Sequence, residues 1–326
     1  MSLSTLATRP LEERRSTARR LTAQQSTARR STTRRSAARR QWWGWLFVSP
    51  FLVVFVLFLV APLIYAGWMS LWRKGLVGKV KFTGLGNYVT AFTDPVFLHG
   101  LTRVGLYVLV MVPIQIGLGA VIALILDVAM TRLARVSRLL IFLPYAVPAM
   151  VGALMWGFLY SPLFGPLGQL FGIFGASAPT ILSPDGVFGG LVNVVTWQWV
   201  GYYMIIIYSA LRAVDPSLYE AATLDGASNV QISWHIKLPL IVPSMIMCTV
   251  FSLIGTLQFY TEPMVLRSSA QSAIPSDYTP NMYAASLGFN QSRFNYASTI
   301  SFSLGVIVFI GSYIFLFLTR KRNGLR

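Results

Sequence analysis

Charged residues are scarce in this chain of 326 residues, and acidic ones are the scarcest, with 10 Asp and Glu against 27 Lys and Arg. Only 11% of the residues are charged and 55% are hydrophobic, whereas soluble domains carry about 25% charged residues. This balance excludes an ordinary soluble domain and indicates a membrane protein. The single cysteine, Cys248, excludes an internal disulfide and a cysteine-based metal cluster.

The motifs and residue groupings that enzymes and ion-driven carriers use are also missing. The sequence has no Gly-x-x-x-x-Gly-Lys-Ser/Thr loop, whose backbone would cradle nucleotide phosphates. Its two histidines, His99 and His235, are predicted on opposite sides of a membrane, and no Ser/His/Asp set is evident. No pair of carboxylates falls within an apolar run, so a proton relay has little support. We therefore expect no catalytic residue, no metal site and no cofactor on this chain, and we predict that it is not an enzyme.

The amino-terminal residues 1–41 contain eleven Arg, mostly in pairs, and only two Glu. Low complexity and like charge are typical of disorder, so we predict a disordered tail followed by one membrane domain, 42–326. Arginines close to a first span favour a cytoplasmic tail that lies against anionic lipid. Nucleic-acid binding is the alternative, but no aromatic side chains are interleaved to stack on bases, and we expect no nucleic-acid partner.

Six apolar windows are long enough to cross a bilayer, which takes about 20 apolar residues in a helix. None contains a charged residue, and their approximate limits are Leu46–Leu71, Val104–Leu126, Leu139–Tyr160, Val187–Leu211, Leu240–Thr261 and Phe294–Thr319. Because a backbone in lipid must satisfy its own hydrogen bonds, we predict an all-α integral membrane protein with six transmembrane helices. With both termini in the cytoplasm, twenty basic residues lie inside and seven outside, as the positive-inside rule favours.

A polar stretch with the sequence EAATLDGASNVQISWHIKLP, residues 220–239, separates the fourth and fifth windows. Ser217 and Glu220 have the spacing of a capping box, and so do Ser228 and Gln231. A glycine between the two boxes supplies a break, and a proline at the end marks the start of the next span. The pattern predicts two short helices joined by a turn on the cytoplasmic face.

This stretch resembles the EAA loop of permease subunits in binding-protein-dependent type I ABC importers. The matching residues are Glu220, Ala221, Ala222, Asp225, Gly226, Ala227, Ile236, Leu238, Pro239 and Pro243. In that family the loop forms a coupling helix that docks in a groove of a cytoplasmic ATPase, so the resemblance implies the same role here. FTGLGNYVTAF at 82–92 and LPYAVPAMVGALMWGFLY at 143–160 resemble the carbohydrate-uptake branch, which includes the maltose and glycerol-3-phosphate permeases. The similarity covers about 45–319 and departs from the family pattern at 264–269.

The resemblance implies the type I importer permease fold and a function in the ATP-driven import of a sugar or related polyol. It implies alternating access in a bacterial inner membrane and a heterodimer with a second, related permease. It further implies two copies of an ATPase subunit, which bind ATP and Mg, and an extracytoplasmic binding protein that delivers the solute. The alternative is an autonomous secondary carrier or channel, which needs an ion or proton site within the spans and no ATPase. A membrane-embedded enzyme is a third possibility without a catalytic constellation to support it.

Polar and aromatic residues within the spans are candidates for the substrate path, because polarity inside a membrane is costly and usually faces a cavity. Aromatic rings suit the apolar faces of sugars, and amides and hydroxyls suit their rims. By resemblance to maltose-type permeases, the candidates are Trp197, Trp199, Tyr203, Thr256, Phe259, Tyr260 and Glu262, with Gln115 and Trp156 as weaker ones. Prolines within spans indicate either tolerated kinks or helix breaks beside a cavity. These prolines are Pro62, Pro113, Pro144 and Pro148.

Overall fold

The computed structural model describes residues 45–74, 80–128, 132–162, 164–174 and 179–319. The predicted tail, 1–41, lies outside the described residues, so its disorder stays a prediction. The chain divides into two compact units, Met1–Tyr65 and Ala66–Arg326. Helices account for almost all of the described secondary structure, as the apolar windows predicted.

The first helix, α1, runs over Trp45–Ser70. Within it, Val56–Val60 form a π turn, and the N–H of Ala61 donates to the carbonyl of Val56. Pro62 follows directly. Proline lacks an N–H, and its ring crowds the carbonyl four residues earlier. A π turn widens the helix at this point and accommodates the proline without ending the helix.

A short hairpin follows α1 and was not predicted. Its strands, β1 (Trp72–Lys74) and β2 (Val80–Phe82), pair antiparallel. The next helix, α2 (Gly86–Thr93), is tied to this region by Asn87, whose side-chain amide donates to the carbonyl of Ser70 at 2.8 Å. The hairpin is a local exception in a fold that is otherwise helical, as predicted. Two strands of three residues are too short to carry a detectable alternation of polar and apolar residues.

In chain order the remaining helices are α3 (Pro95–Val128), α4 (Arg132–Ala146), α5 (Ala149–Leu159), α6 (Pro166–Ile173), α7 (Val187–Arg212), α8 (Ser217–Leu224), α9 (Asn229–Ile232), α10 (Leu238–Leu257), α11 (Thr261–Leu266), α12 (Pro280–Ala285) and α13 (Phe294–Thr319). Among the described residues, five helical stretches are long and apolar enough to cross a membrane, and the bent pair α4–α5 makes six. One of the five, Asn229–Leu266, combines α9, α10 and α11. The six predicted spans agree with this set when the bent pair counts as one span.

The third predicted span is not the single helix expected over Leu139–Tyr160. Instead α4 and α5 meet at an angle of 98°. The break falls at Val147 and Pro148, and Pro148 has φ −55° and ψ 135° as the residue that precedes α5. Proline disfavours a helical conformation in the residue before it, which accounts for the break. Pro144 and Pro113, by contrast, lie inside helices that continue past them.

Glycines allow the span helices of the second unit to pack with their backbones close together. A Cβ atom on Gly201 of α7 would lie 2.1 Å from the carbonyl oxygen of Ile141 in α4. A Cβ atom on Gly119 of α3 would lie 3.3 Å from the backbone nitrogen of Met204 in α7. Small residues at such crossings are the usual basis of helix association in membranes. Buried apolar side chains of α3, α7 and α10 complete this core.

Helix α3 defines two opposite faces of the second unit. Its last turn holds Asp127, which contacts Lys237 between α9 and α10, and we call this side the coupling face. Helix α3 has 34 residues and is about 50 Å long. Its first residue, Pro95, therefore lies on the opposite side, which we call the hairpin face. Helix α13 starts at the hairpin face, where the side chain of Asn295 donates to the carbonyl of Met69 at 3.0 Å.

Candidate functional site

Residues 213–237 join α7 to α10 and are called the coupling segment. The segment contains α8 and α9 with a turn between them, which confirms the predicted pair of short helices. The second predicted capping box is also confirmed. The N–H of Ser228 donates to Oε1 of Gln231 at 2.8 Å, and the N–H of Gln231 donates to Oγ of Ser228 at 3.3 Å. Each side chain thus satisfies a backbone donor that the first turn of α9 leaves free.

The first predicted capping box is wrong. Ser217 is the first residue of α8, Pro216 occupies the cap position, and Ser217 and Glu220 do not exchange the two bonds of a box. Asp215 takes over this role, because its Oδ1 accepts a hydrogen bond from the N–H of Ser217 at 2.9 Å. This hydrogen bond lowers the pKa of the Asp215 carboxyl group. Glu220 is left exposed on α8, free to contact another molecule.

The turn between α8 and α9 explains why glycine stands at position 226. Gly226 has φ +84°, a conformation that costs other residues about 1–2 kcal/mol. Its N–H donates to the carbonyl of Thr223, and the N–H of Ala227 donates to the carbonyl of Ala222, both at 3.0 Å. These two bonds form a Schellman motif, which ends a helix by satisfying its last carbonyls. Glycine at position 226 of the EAA-like stretch is therefore explained by the turn that ends α8.

The second short helix does not end before the fifth span. Ser233–Lys237 form a π turn that leads straight into α10, and the N–H of Leu238 donates to the carbonyl of Ser233. Pro239 was predicted to start the span, and it does lie in the first turn of α10. As in α1, a π turn precedes the proline and accommodates it. The end of the coupling segment and the fifth span thus run without a break from Asn229 to Leu257.

The coupling segment exposes both apolar and polar side chains. Four of the EAA-like residues are half-buried, namely Ala222, Ala227, Ile236 and Leu238. The other six are exposed, namely Glu220, Ala221, Asp225, Gly226, Pro239 and Pro243. The large apolar side chains exposed on the segment are Leu218, Leu224, Val230 and Trp234. Leu224 is 89% exposed and Trp234 is 65% exposed. Large apolar side chains exposed beside polar ones are typical of a surface that binds another protein.

One charged residue of the coupling segment is buried. The Nζ of Lys237 lies 2.5 Å from Oδ2 of Asp127, which the sequence analysis did not single out, and 4.7 Å from the centre of the Tyr219 ring. The pKa of Tyr219 is raised, first by its burial and then by the negative charge of Asp127. Lys237 therefore brings together the end of α3, helix α8 and the π turn that leads into α10.

Six of the seven predicted substrate-path residues line one cavity of about 130 Å³, which is formed by α3, α7, α10 and residues 258–262. These residues are Trp199, Tyr203, Thr256, Phe259, Tyr260 and Glu262. The rings of Trp199 and Tyr203 are stacked, with centres 6.1 Å apart. Glu262 is only 8% exposed. The cavity combines aromatic faces with hydroxyl, amide and carboxyl groups, although its role as a substrate path stays a prediction.

Trp197, the seventh candidate, points away from this cavity. Its ring packs edge-on against that of Trp156, with centres 5.8 Å apart, and lies beside Gly152 of α5. Successive residues of a helix are about 100° apart, so Trp197 and Trp199 fall on different faces of α7. A count of polar and aromatic residues in the window did not separate these faces.

An irregular segment, Gln258–Tyr260, interrupts the helix beside the cavity. Helix α10 ends at Leu257 and α11 begins at Thr261, and Tyr260 has φ −146° and ψ −54°. Backbone outside a helix is tolerated at membrane depth where it lines a cavity. None of the four prolines noted within the spans lies in this break, so the sequence carries no proline signal for it.

A second cavity, about 870 Å³ in volume, opens on the hairpin face. Its lining includes the basic residues Arg73, Lys74 and Arg293. Asp94 also lines it, and Oδ2 of this residue accepts hydrogen bonds from the hydroxyls of Tyr283 and Tyr296, both at 2.8 Å. The pKa of Tyr283 is raised by burial and by this bond to a carboxylate. The two cavities lie on different parts of the bundle and share no lining residue.

The apolar bundle, the cavity among three spans and the exposed coupling segment together define a multi-pass membrane transport protein. The family described as "Binding-protein-dependent transport system inner membrane component" matches residues 115–322, and the chain belongs to this family. It is therefore the permease component of an ABC transport system and not an enzyme, and it works with a separate ATPase and a solute-binding protein.

Relatives cover most of the chain. The lactose transport system permease protein LacF of Rhizobium radiobacter is 29% identical over 285 residues, which are 86% of this chain and 95% of that protein. The trehalose/maltose transport system permease protein MalF of Thermococcus litoralis is 27% identical, over 86% of this chain and 94% of that protein.

A solved structure shares the fold. It is a bacterial alginate ABC transporter in complex with an alginate pentasaccharide-bound periplasmic protein, and one of its chains superposes with a TM-score of 0.75 at 21% identity. The superposition covers 88% of this chain and 96% of that chain. The fold is therefore that of a type I ABC importer permease.

Proposed function

We propose that this chain is the subunit through which an ATP-driven importer moves a sugar or a related polyol across a bacterial inner membrane. One observation carries the proposal. The exposed coupling segment continues without a break into α10, and α10 forms a wall of the cavity that holds the predicted substrate-path residues. A partner that moved the segment would therefore move the wall of the cavity.

The chemistry of the cavity supports a sugar as the solute. Trp199 and Phe259 offer flat apolar faces, and Thr256, Tyr260 and Glu262 offer hydrogen-bonding groups. Sugars present apolar ring faces bordered by hydroxyls, so both kinds of group find partners on one molecule. The relatives LacF and MalF are named as lactose and trehalose/maltose transport proteins, which agrees with this class of solute.

The small size of the cavity supports a second permease. At about 130 Å³ it is below the range of roughly 300–1,000 Å³ that small-molecule sites occupy. Six spans of one chain would thus supply one side of a path that a second, related permease completes. We propose a heterodimer of the two, with one coupling segment on each.

The exposed surface of the coupling segment supports a water-soluble partner protein. Leu224 and Trp234 would be costly to leave in water, and Glu220 and Asp225 would be costly to bury in lipid. A protein groove accommodates both. We propose that two copies of an ATPase, which hold ATP and Mg, dock beneath the two permeases. Binding of ATP closes the ATPases, the coupling segments follow, the cavity turns outward, and hydrolysis resets the transporter.

In this arrangement the coupling face is cytoplasmic and the hairpin face is extracytoplasmic. Both chain termini then lie in the cytoplasm, which the distribution of Lys and Arg favours. The wide cavity on the hairpin face, with Arg73, Lys74 and Arg293 on its walls, is the region we propose for docking of the solute-binding protein.

Reconstitution into proteoliposomes tests the proposal. The four components are this chain, its partner permease, the ATPase and the solute-binding protein loaded with radiolabelled sugar, with ATP enclosed or omitted. We expect uptake only with ATP and all four components present. We also expect the Glu220→Arg variant not to retain the ATPase. ATP-independent flux through the lone purified chain would instead support the secondary carrier or channel.

A further inference from the structure

The ion pair between Lys237 and Asp127 joins parts of the chain that lie far apart in the sequence. The two side chains are 9% and 6% exposed, and the pair links the coupling segment to the end of α3. The ring of Tyr219 from α8 lies below the Lys237 ammonium group. An ion pair removed from water in this way is held together, because separating it would leave two buried charges without partners.

The position of the pair matters because the three span helices α3, α7 and α10 all line the substrate-path cavity. Helices α7 and α10 are attached to the coupling segment by the chain itself, at Arg212 and Leu238. Helix α3, which supplies Met111 and Gln115 to the cavity, has no such covalent attachment, and at its coupling-face end Asp127 contacts Lys237. Twelve residues of one helix separate Gln115 from Asp127, or about 18 Å.

We propose that Lys237 is a positioning residue that ties α3 to the coupling segment through Asp127, so that all three walls of the cavity move with the segment. The proposal rests on the proposed function, since it requires an ATPase that moves the segment. When the ATPase shifts the segment, the cost of leaving Lys237 or Asp127 unpaired makes α3 follow. Without the tie, α7 and α10 still move, but α3 lags and the cavity opens incompletely.

Uptake per ATP hydrolysed in the reconstituted four-component system tests this tie. In Lys237→Met we expect the ATPase to stay bound and active, because the exposed residues of the segment are unchanged. Sugar uptake per ATP should fall at least about tenfold, since one charge of the pair is left buried alone. Lys237→Arg keeps the charge and should stay within about threefold of the wild type. Tyr219→Phe keeps the ring beneath Lys237 and serves as the matched control, with unchanged uptake per ATP.

A charge exchange separates positioning from a merely structural role. The double variant Lys237→Asp with Asp127→Lys should recover at least about a third of the wild-type ratio, whereas each single exchange should lose it. If Lys237→Met does not accumulate as folded protein, Asp127→Asn replaces it, because the amide keeps the size and an acceptor oxygen. That variant should lower the ratio at least about threefold.

The outcomes for the tie and for the proposed function are distinct. Folded Lys237→Met or Asp127→Asn with wild-type uptake per ATP would overturn the tie and leave the proposed function intact. Failure of the charge exchange to recover the ratio, in protein that folds and binds the ATPase, would also overturn it. If the wild-type complex shows no ATP-dependent uptake, the proposed function itself fails.

Discussion

The hydroxyl of Ser252 in α10 donates a hydrogen bond to the side-chain oxygen of Gln115 in α3 across 2.7 Å, and both residues are buried. The bond connects two walls of the substrate-path cavity. Gln115 was a weak candidate in the sequence, and Ser252 was not a candidate. Their contact shows that polar groups in different spans are matched to each other.

Removal of either partner should destabilise the bundle. Ser252→Ala leaves the Gln115 oxygen buried without this donor, and Gln115→Leu leaves the hydroxyl without this acceptor. In a double-mutant cycle we expect a coupling free energy of about 0.6–1.7 kcal/mol, as interhelical hydrogen bonds in membranes provide. Unfolding of the purified protein by a denaturing detergent measures it. Strict additivity of the two single changes would contradict the contact.

Trp199 and Trp197 form a matched pair for testing the cavity as a substrate path. Trp199→Ala removes an aromatic wall of the cavity and should lower the efficiency of uptake at least about tenfold, as loss of a central aromatic contact does. Trp197→Ala removes a ring that packs on Trp156, so its uptake per folded protein should change less than about threefold. Initial uptake rates at several concentrations of loaded binding protein measure both. An equal loss of uptake in the two variants would argue against the cavity as the substrate path.

The crossing of α7 and α4 should not tolerate a methyl group. Gly201→Ala would place a Cβ atom 2.1 Å from the carbonyl oxygen of Ile141. The helices would be forced apart, which should lower the free energy of unfolding by about 1–3 kcal/mol. Gly117→Ala on α3 is the control, because no atom lies within 4 Å of its added Cβ. Detergent-induced unfolding compares the two. Equal stability of both variants would show that α4 and α7 do not cross this closely.

The turn of the coupling segment should require a residue that accepts positive φ. Gly226→Ala should weaken binding of the ATPase by roughly fivefold to thirtyfold, which corresponds to about 1–2 kcal/mol of strain in the turn. Gly226→Asn should lose less, because asparagine adopts this conformation more readily. Titration of the purified permease complex with the ATPase gives both affinities. If alanine binds as well as glycine, the turn is not the element that presents the docking surface.

Long uniform features could be predicted from the sequence, and local breaks could not. Six charge-free windows of span length leave the backbone little choice but helix, and the EAA-like spacing located the coupling segment. The 98° bend after Ala146 falls at Pro148, where the sequence left a kink or a helix break open. The irregular segment Gln258–Tyr260 contains no proline and was missed. Proline marks one of these breaks and not the other, and Pro113 sits in an unbroken helix. Whether a helix breaks depends on the neighbours that satisfy its free backbone groups.

Contacts between residues far apart in the sequence also could not be predicted. Trp197 and Trp199 look alike in a window, and only the rotation of α7 sends one toward Trp156 and the other into the cavity. Asp127 lies at the edge of a window and has no local signal. Its partner, Lys237, follows 110 residues later.

Contact between the coupling segment and an ATPase on the cytoplasmic side can be tested by cross-linking. Cys248 is the single cysteine and is buried, so Cys248→Ala provides a background for introduced cysteines. In inside-out vesicles that carry the whole transporter, a short thiol–amine cross-linker should join Ala221→Cys to the ATPase and leave Val89→Cys, on α2 at the hairpin face, unlinked. Cross-linking of the ATPase through Val89→Cys, or through neither position, would contradict the account.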